Sequence, residues 1–202
     1  MRPLDPLFRR RVRWRPIGRE GLEDLDLRRR GDEIVARSVV IGERGGAAYG
    51  VSYTVICDLE WRTRSLDLAS TDGRGLRVAS DGAGQWRDGH GARLDAFEGC
   101  IDIDLAGSPF TNTLPIRRLD LSPSDGTATL DMLYVPFDSF EPARDGQRYR
   151  CLEAGRRFRY EAADRSFSAD ILVDADGLVL SYPPLFERAD HGDAGHERFS
   201  NP

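Results

Sequence analysis

The run from Glu98 to Leu119 concentrates the side chains best equipped for chemistry. Read as a strand, Cys100, Asp102 and Asp104 fall on one face and Ile101, Ile103 and Leu105 on the other. Two carboxylates on one strand face repel unless cations or hydrogen bonds meet them. Arg62 and Arg64 on an earlier strand, and Arg117 and Arg118 on the next, supply planar guanidinium forks. One expectation is a structural Arg–Asp lattice across neighbouring strands, and this is the heavier reading. The other is a clamp for an anionic head group, a phosphate or an acidic sugar, with Asn112 beside it. Asp102 and Asp104 could also serve as acid and base in glycoside hydrolysis. Same-face neighbours stand about 6.5–7 Å apart at Cα, which permits that chemistry without specifying it. Adjacent cations would lower both pKa values and oppose an acid role near neutrality.

Other chemistries lack their spacing. His90, His191 and His196 have no ligand-like arrangement, so no metal site is expected. Cys57, Cys100 and Cys151 are far apart and contain no C-x-x-C pair, which suits reduced, buried thiols. Ser108 has no nucleophile motif around it, and no glycine-rich phosphate loop opens a helix. No cofactor is expected.

Composition narrows the classes further. The 202 residues are 40% hydrophobic and 31% charged, a globular balance for one domain. A net charge of −5 argues against non-specific nucleic-acid binding. All 29 cations are Arg. The basic stretch Arg9–Arg13 is followed by no apolar region, and no apolar run approaches membrane-spanning length. The expected location is the cytoplasm.

The elements that must position these groups are strands. Asp-Gly occurs six times, at 72–73, 81–82, 88–89, 125–126, 145–146 and 176–177, and favours tight hairpin turns. Between the turns the period is two: Tyr49, Val51, Tyr53, Val55 and Cys57 share one face. Further strands are expected at 34–41, 61–68, 94–105, 116–121, 127–135, 147–152, 158–161, 167–173 and 178–182. The stretch from Glu20 to Arg30 fits a turn or two of helix or a strand. The expected fold is all-β: an antiparallel, strongly curved sheet or barrel-like single domain over residues 1–188, with a flexible tail at 189–202. A hollow interior would be lined by Tyr49, Val51, Tyr53, Val55, Leu130, Met132 and Tyr134.

The stretch Ser108-Pro-Phe-Thr-Asn-Thr-Leu-Pro-Ile-Arg-Arg-Leu119 resembles the signature of a bacterial glycolipid-binding family, formerly a domain of unknown function. Trp61–Arg64, Gly99–Asp104, Gln147–Tyr149, Asp174–Val179 and Tyr182–Arg188 fit the same family, over about residues 14–188. The resemblance implies a mostly antiparallel barrel-like fold, similar in shape to periplasmic lipoprotein carriers, and brings no catalytic residues with it. The expected function is binding or carriage of a glycolipid-like amphiphile. Its tail would lie in the cavity, and its head group at Arg62, Arg64, Asp102, Asp104, Asn112, Arg117 and Arg118, with Tyr49, Tyr53 and Tyr134 on the wall. The alternatives are a hydrolase of sugar or lipid esters using Asp102 or Asp104, and a structural or homo-oligomeric protein with a filled core.

Overall fold

The computed structural model describes residues 4–189. The expected tail, with His191 and His196, lies outside the described residues apart from its first residue. Fourteen strands run in chain order: β1 (Arg9–Pro16), β2 (Gly21–Arg30), β3 (Glu33–Arg44), β4 (Ala47–Asp58), β5 (Thr63–Ser70), β6 (Gly75–Ser80), β7 (Trp86–Asp88), β8 (Asp102–Leu105), β9 (Thr127–Val135), β10 (Ala143–Glu153), β11 (Arg157–Ala162), β12 (Ser168–Val173), β13 (Val179–Tyr182) and β14 (Phe186–Arg188). They form one sheet in the order β7-β6-β5-β4-β3-β2-β1-β14-β13-β12-β11-β10-β9-β8. Every pairing is antiparallel except β8 with β9. The chain folds as two meanders, and its last strand returns to the first, with Trp14 opposite Arg188. The outermost strands, β7 and β8, do not pair with each other. A short loop ties their ends instead: Gly99 N donates to Gly84 O at 3.0 Å, and Trp86 Nε1 donates to Cys100 O at 2.7 Å.

Alternation decides which face is inside. In β4, Val51, Tyr53, Val55 and Cys57 are buried, and in β1 Val12 and Trp14 are buried. Arg9, Arg11 and Arg13 of β1 alternate outward and pair with β2, Arg11 with Asp24 at 2.6 Å and Arg9 with Asp26 at 2.8 Å. Such exposed pairs mark register more than they stabilise.

Of the two readings open for 20–30 the strand is the one observed, at Gly21–Arg30, where Glu23, Leu25 and Leu27 alternate inward. Other expectations change: the strand expected at 94–105 is confined to Asp102–Leu105, after a 3-10 turn at Asp95–Phe97. Asp145-Gly146 is not a turn but lies inside β10, opposite Met132 and Asp131. Gly is required there by space, because a Cβ at Gly146 would lie 2.7 Å from the Ala163 methyl. The expected strand at 116–121 is instead the end of α1 (Thr113–Leu119), entered through a 3-10 turn at Pro109–Asn112. Ser108 caps that turn, its Oγ accepting from Phe110 N at 3.2 Å. Pro115 sits in the first helical turn, where its missing N–H costs nothing.

This helical segment fills the interior that the sequence suggested was hollow. Residues 107–117 are all buried. Phe110 stacks on Tyr53 of β4 with ring centroids 6.4 Å apart. On the opposite half of the sheet, Tyr149 of β10 holds Asn112 Oδ1 at 2.9 Å. The core around the segment includes Val51, Val55, Met132, Trp14 and Trp86, each 2% exposed or less. The three cysteines are free and buried.

Candidate functional site

The segment leaves space at one end of the sheet. A pocket of about 390 Å³ opens there, within the size range of small-molecule sites. Pro16 and the Arg19–Glu20 turn form one wall, and Glu43 and Arg44 at the end of β3 continue it. The strand-to-helix passage Asp104–Ser108, with Asn112, forms the floor. Tyr134, Tyr160, Phe167, Tyr182 and Phe186 supply aromatic surface opposite. Tyr160 joins Tyr182 and Phe167 in a ring cluster with centroids 5.8 and 6.0 Å apart.

Asp104 is the acid of the floor. Its Oδ1 accepts from Thr111 Oγ1 at 2.9 Å and its Oδ2 from Gln147 Nε2 at 2.7 Å. Burial raises its pKa, and these two bonds oppose the rise. Gln147 is 1% exposed and continues through the Tyr149 hydroxyl to Asn112. Two segments far apart in sequence are thereby locked around one carboxylate. Arg44 at the rim donates to the Tyr134 hydroxyl at 2.8 Å and lies 3.7 Å from Asp138.

A second acid lies behind the wall. Glu23 of β2 is 2% exposed, and its Oε1 accepts from Tyr53 Oη at 2.5 Å and from Ser38 and Ser108 Oγ, each at 2.9 Å. Its Oε2 is sealed from solvent without a hydrogen-bond partner among the described residues. Glu23 also borders a small space of about 10 Å³ that Trp14, Tyr49, Gly107 and Phe186 line. Burial raises Glu23 to about 7 against the three hydroxyl bonds. Ser108 joins this acid to the pocket, since it also lines the floor.

The candidate residues named from sequence separate into groups. Tyr49, Asp104, Asn112 and Tyr134 come together at the pocket. Tyr53 is in the core, bound to Glu23. Asp102 is 1% exposed and held in a two-pronged contact by Arg118, with Nη2–Oδ2 at 2.5 Å and Nε–Oδ1 at 3.0 Å. Arg117 lies over the Trp61 ring at 5.1 Å and borders a separate surface groove with Phe8 and Asp176. Arg62 pairs with Glu60 at 2.6 Å, and Arg64 lies 3.9 Å from Asp58, both on the surface. The four arginines therefore do not converge on one point. Asp102 and Asp104 share a strand but meet different partners, and only Asp104 reaches the pocket.

The sequence reading passed over Glu23, Ser38, Arg44, Tyr160 and the place of Ser108 between Glu23 and the pocket. For Glu23 a signal existed, because it alternates in phase with Leu25 and Leu27 and out of phase with Asp24 and Asp26. No group of His, Cys, Asp and Glu among the described residues could hold a metal ion. No described helix is long and apolar enough to cross a membrane.

Comparison with known proteins places the chain in a family. The chain is similar to the solved structure of a DUF1089 family protein from Pseudomonas aeruginosa, with 39% identity and a TM-score of 0.75, over 84% of this chain and 92% of that one. No curated protein matches it. The family model described as "Putative glycolipid-binding" matches residues 11–188, which include every element from the end of the first arginine run to the last strand. The chain belongs to that glycolipid-binding family.

Proposed function

We propose that the protein binds or carries a glycolipid-like amphiphile, with the head group in the pocket at the end of the sheet. The observation that carries this reading is the pocket's composition. A polar floor of Asp104, Ser108 and Asn112 faces an aromatic wall of Tyr134, Tyr160, Phe167 and Tyr182. Aromatic faces take the apolar side of a ring or chain, while fixed polar groups set orientation. In this reading the sheet curls in a barrel-like way around residues 107–117 as one unit through residue 188, and the tail leaves across Leu185 and Phe186 instead of entering the filled core. The expected cytoplasmic location belongs to the same reading.

The hydrolase alternative has less support, because the carboxylate pair it needs does not face one space. The test is native mass spectrometry of gently purified full-length protein, followed by solvent extraction and lipid analysis. A stoichiometric amphiphile lost from an Asp104→Ala, Tyr134→Ala variant is the expected result. An apo mass, together with unchanged amide spectra on adding short alkyl glycosides, would overturn it.

A further inference from the structure

We infer that the pocket takes an uncharged sugar ring and rejects phosphate or carboxylate head groups. The inference rests on the amphiphile reading above and specifies its head group.

Charge comes first. The lining contains two cations, Arg19 and Arg44, against three carboxylates, Glu20, Glu43 and Asp104. Arg44 is already engaged by Tyr134 and Asp138. An anion entering this space would meet Asp104 at the floor without a convergent pair of guanidinium forks, the arrangement that anion sites use. The arginines that could have supplied such a clamp, Arg117 and Arg118, are directed elsewhere by α1.

Hydrogen-bond capacity comes second. Tyr49, Tyr160 and Tyr182 line the pocket, and their hydroxyls make no hydrogen bond among the described residues. None of the three oxygens is among the sealed polar atoms that lack a partner, so each keeps some accessible surface, and each ring lines the pocket. Burial raises the pKa of all three phenols, keeping them protonated as donors and acceptors. Among the described residues each oxygen of Asp104 accepts one bond, leaving lone pairs for a ligand donor. A carboxylate that can accept, set among hydroxyls that can both donate and accept and beside aromatic faces, matches a ring bearing several hydroxyls. A phosphate is negatively charged and offers mainly acceptors, so it could use the phenols but would oppose the acid.

The discriminating experiment titrates full-length protein with hexyl β-D-glucoside, hexyl phosphate and hexanol, below micellar concentrations, by calorimetry and protein-observed NMR. The glucoside should bind about tenfold or more tighter than the phosphate, given the repulsion at the floor, and should shift the amides of Gly107 and Tyr182. Tyr182→Phe keeps the ring and loses one hydroxyl, so it should weaken the glucoside roughly 2- to 10-fold and leave hexanol unchanged. Asp104→Asn should weaken the glucoside and narrow its advantage over the phosphate. Because Asp104 also supports the floor, Tyr182→Phe keeps the test valid if that variant fails to fold. Phosphate binding equal to or tighter than glucoside, or hexanol binding as tightly as glucoside, overturns the sugar inference and leaves amphiphile binding standing. If none of the three probes binds at the pocket, both readings fall.

Discussion

Glu23 makes stability depend on pH in a direction opposite to that of most carboxylates. In the folded protein its carboxyl titrates at about 7, against 4.5 ordinarily, because burial penalises the charge more than three hydroxyl bonds relieve it. Between those two values the folded state retains a proton that the unfolded chain has lost. Stability from this group is therefore complete below about 4.5 and declines as pH rises through about 7. At about 1.4 kcal/mol per pH unit, the 4.5-to-7 interval corresponds to about 3 kcal/mol. For a chain of this length that is roughly 6–12 °C in melting temperature. The perturbation is Glu23→Gln, which keeps an acceptor for Tyr53, Ser38 and Ser108 and cannot ionise. The amide that replaces Oε2 enters a site without a partner, and its cost is independent of pH. It therefore moves the offset between the two proteins but not the slope. The assay is urea unfolding of both proteins at several values from about pH 4.5 to 8, followed by subtraction of the two stability curves. Asp102 and Asp104 titrate in both proteins and cancel. The difference should change by about 3 kcal/mol, in favour of the variant at high pH. A flat difference would refute the burial argument for Glu23.

Other variants probe the elements that hold the site. Arg118→Ala strands Asp102, which is 1% exposed, and should cost about 3–5 kcal/mol in chemical denaturation. Phe110→Ala opens a cavity where the helical segment meets Tyr53, and should cost roughly 3–5 kcal/mol with an unchanged far-ultraviolet strand signal. Gly107→Ala would place a methyl carbon 2.5 Å from Phe137 Cδ2 and 2.8 Å from the Tyr49 hydroxyl. It should destabilise by about 1–3 kcal/mol and disturb the pocket amides, since neither a packed ring nor the floor can yield freely. Asp24 is held at about 2 chiefly by Arg11 on the surface, so Asp24→Asn should leave stability at high salt nearly unchanged by thermal melt.

Much of the fold was legible in local spacing. The strand expected at 127–135 is β9 to the residue, and the one at 49–57 lies within β4. Glycines with positive φ at 73, 82 and 177 lie in links between neighbouring strands, β5–β6, β6–β7 and β12–β13, whereas Asp125-Gly126 follows α1 and joins no hairpin. The first strand was harder to see because its outward face is nearly all Arg, and only its partner β2 supplies the acids that make the run intelligible.

What sequence alone determined is a period-two, turn-punctuated chain whose inward positions are apolar, because alternation is a local consequence of strand geometry. It also supplied the family resemblance, carried mainly by Ser108–Leu119. Only the tertiary structure decided what that stretch does. Thr113–Arg117, five of the seven residues of α1, are all buried, the polar ones included, so this short helix leaves no polar-apolar period to read. Filling the interior moved the available space to the end of the sheet. There Asp104, Tyr160, Tyr182 and the Glu23–Ser108 pair meet through contacts that cross up to 85 residues of chain. Such a meeting depends on pairing order and curvature, which no local window contains.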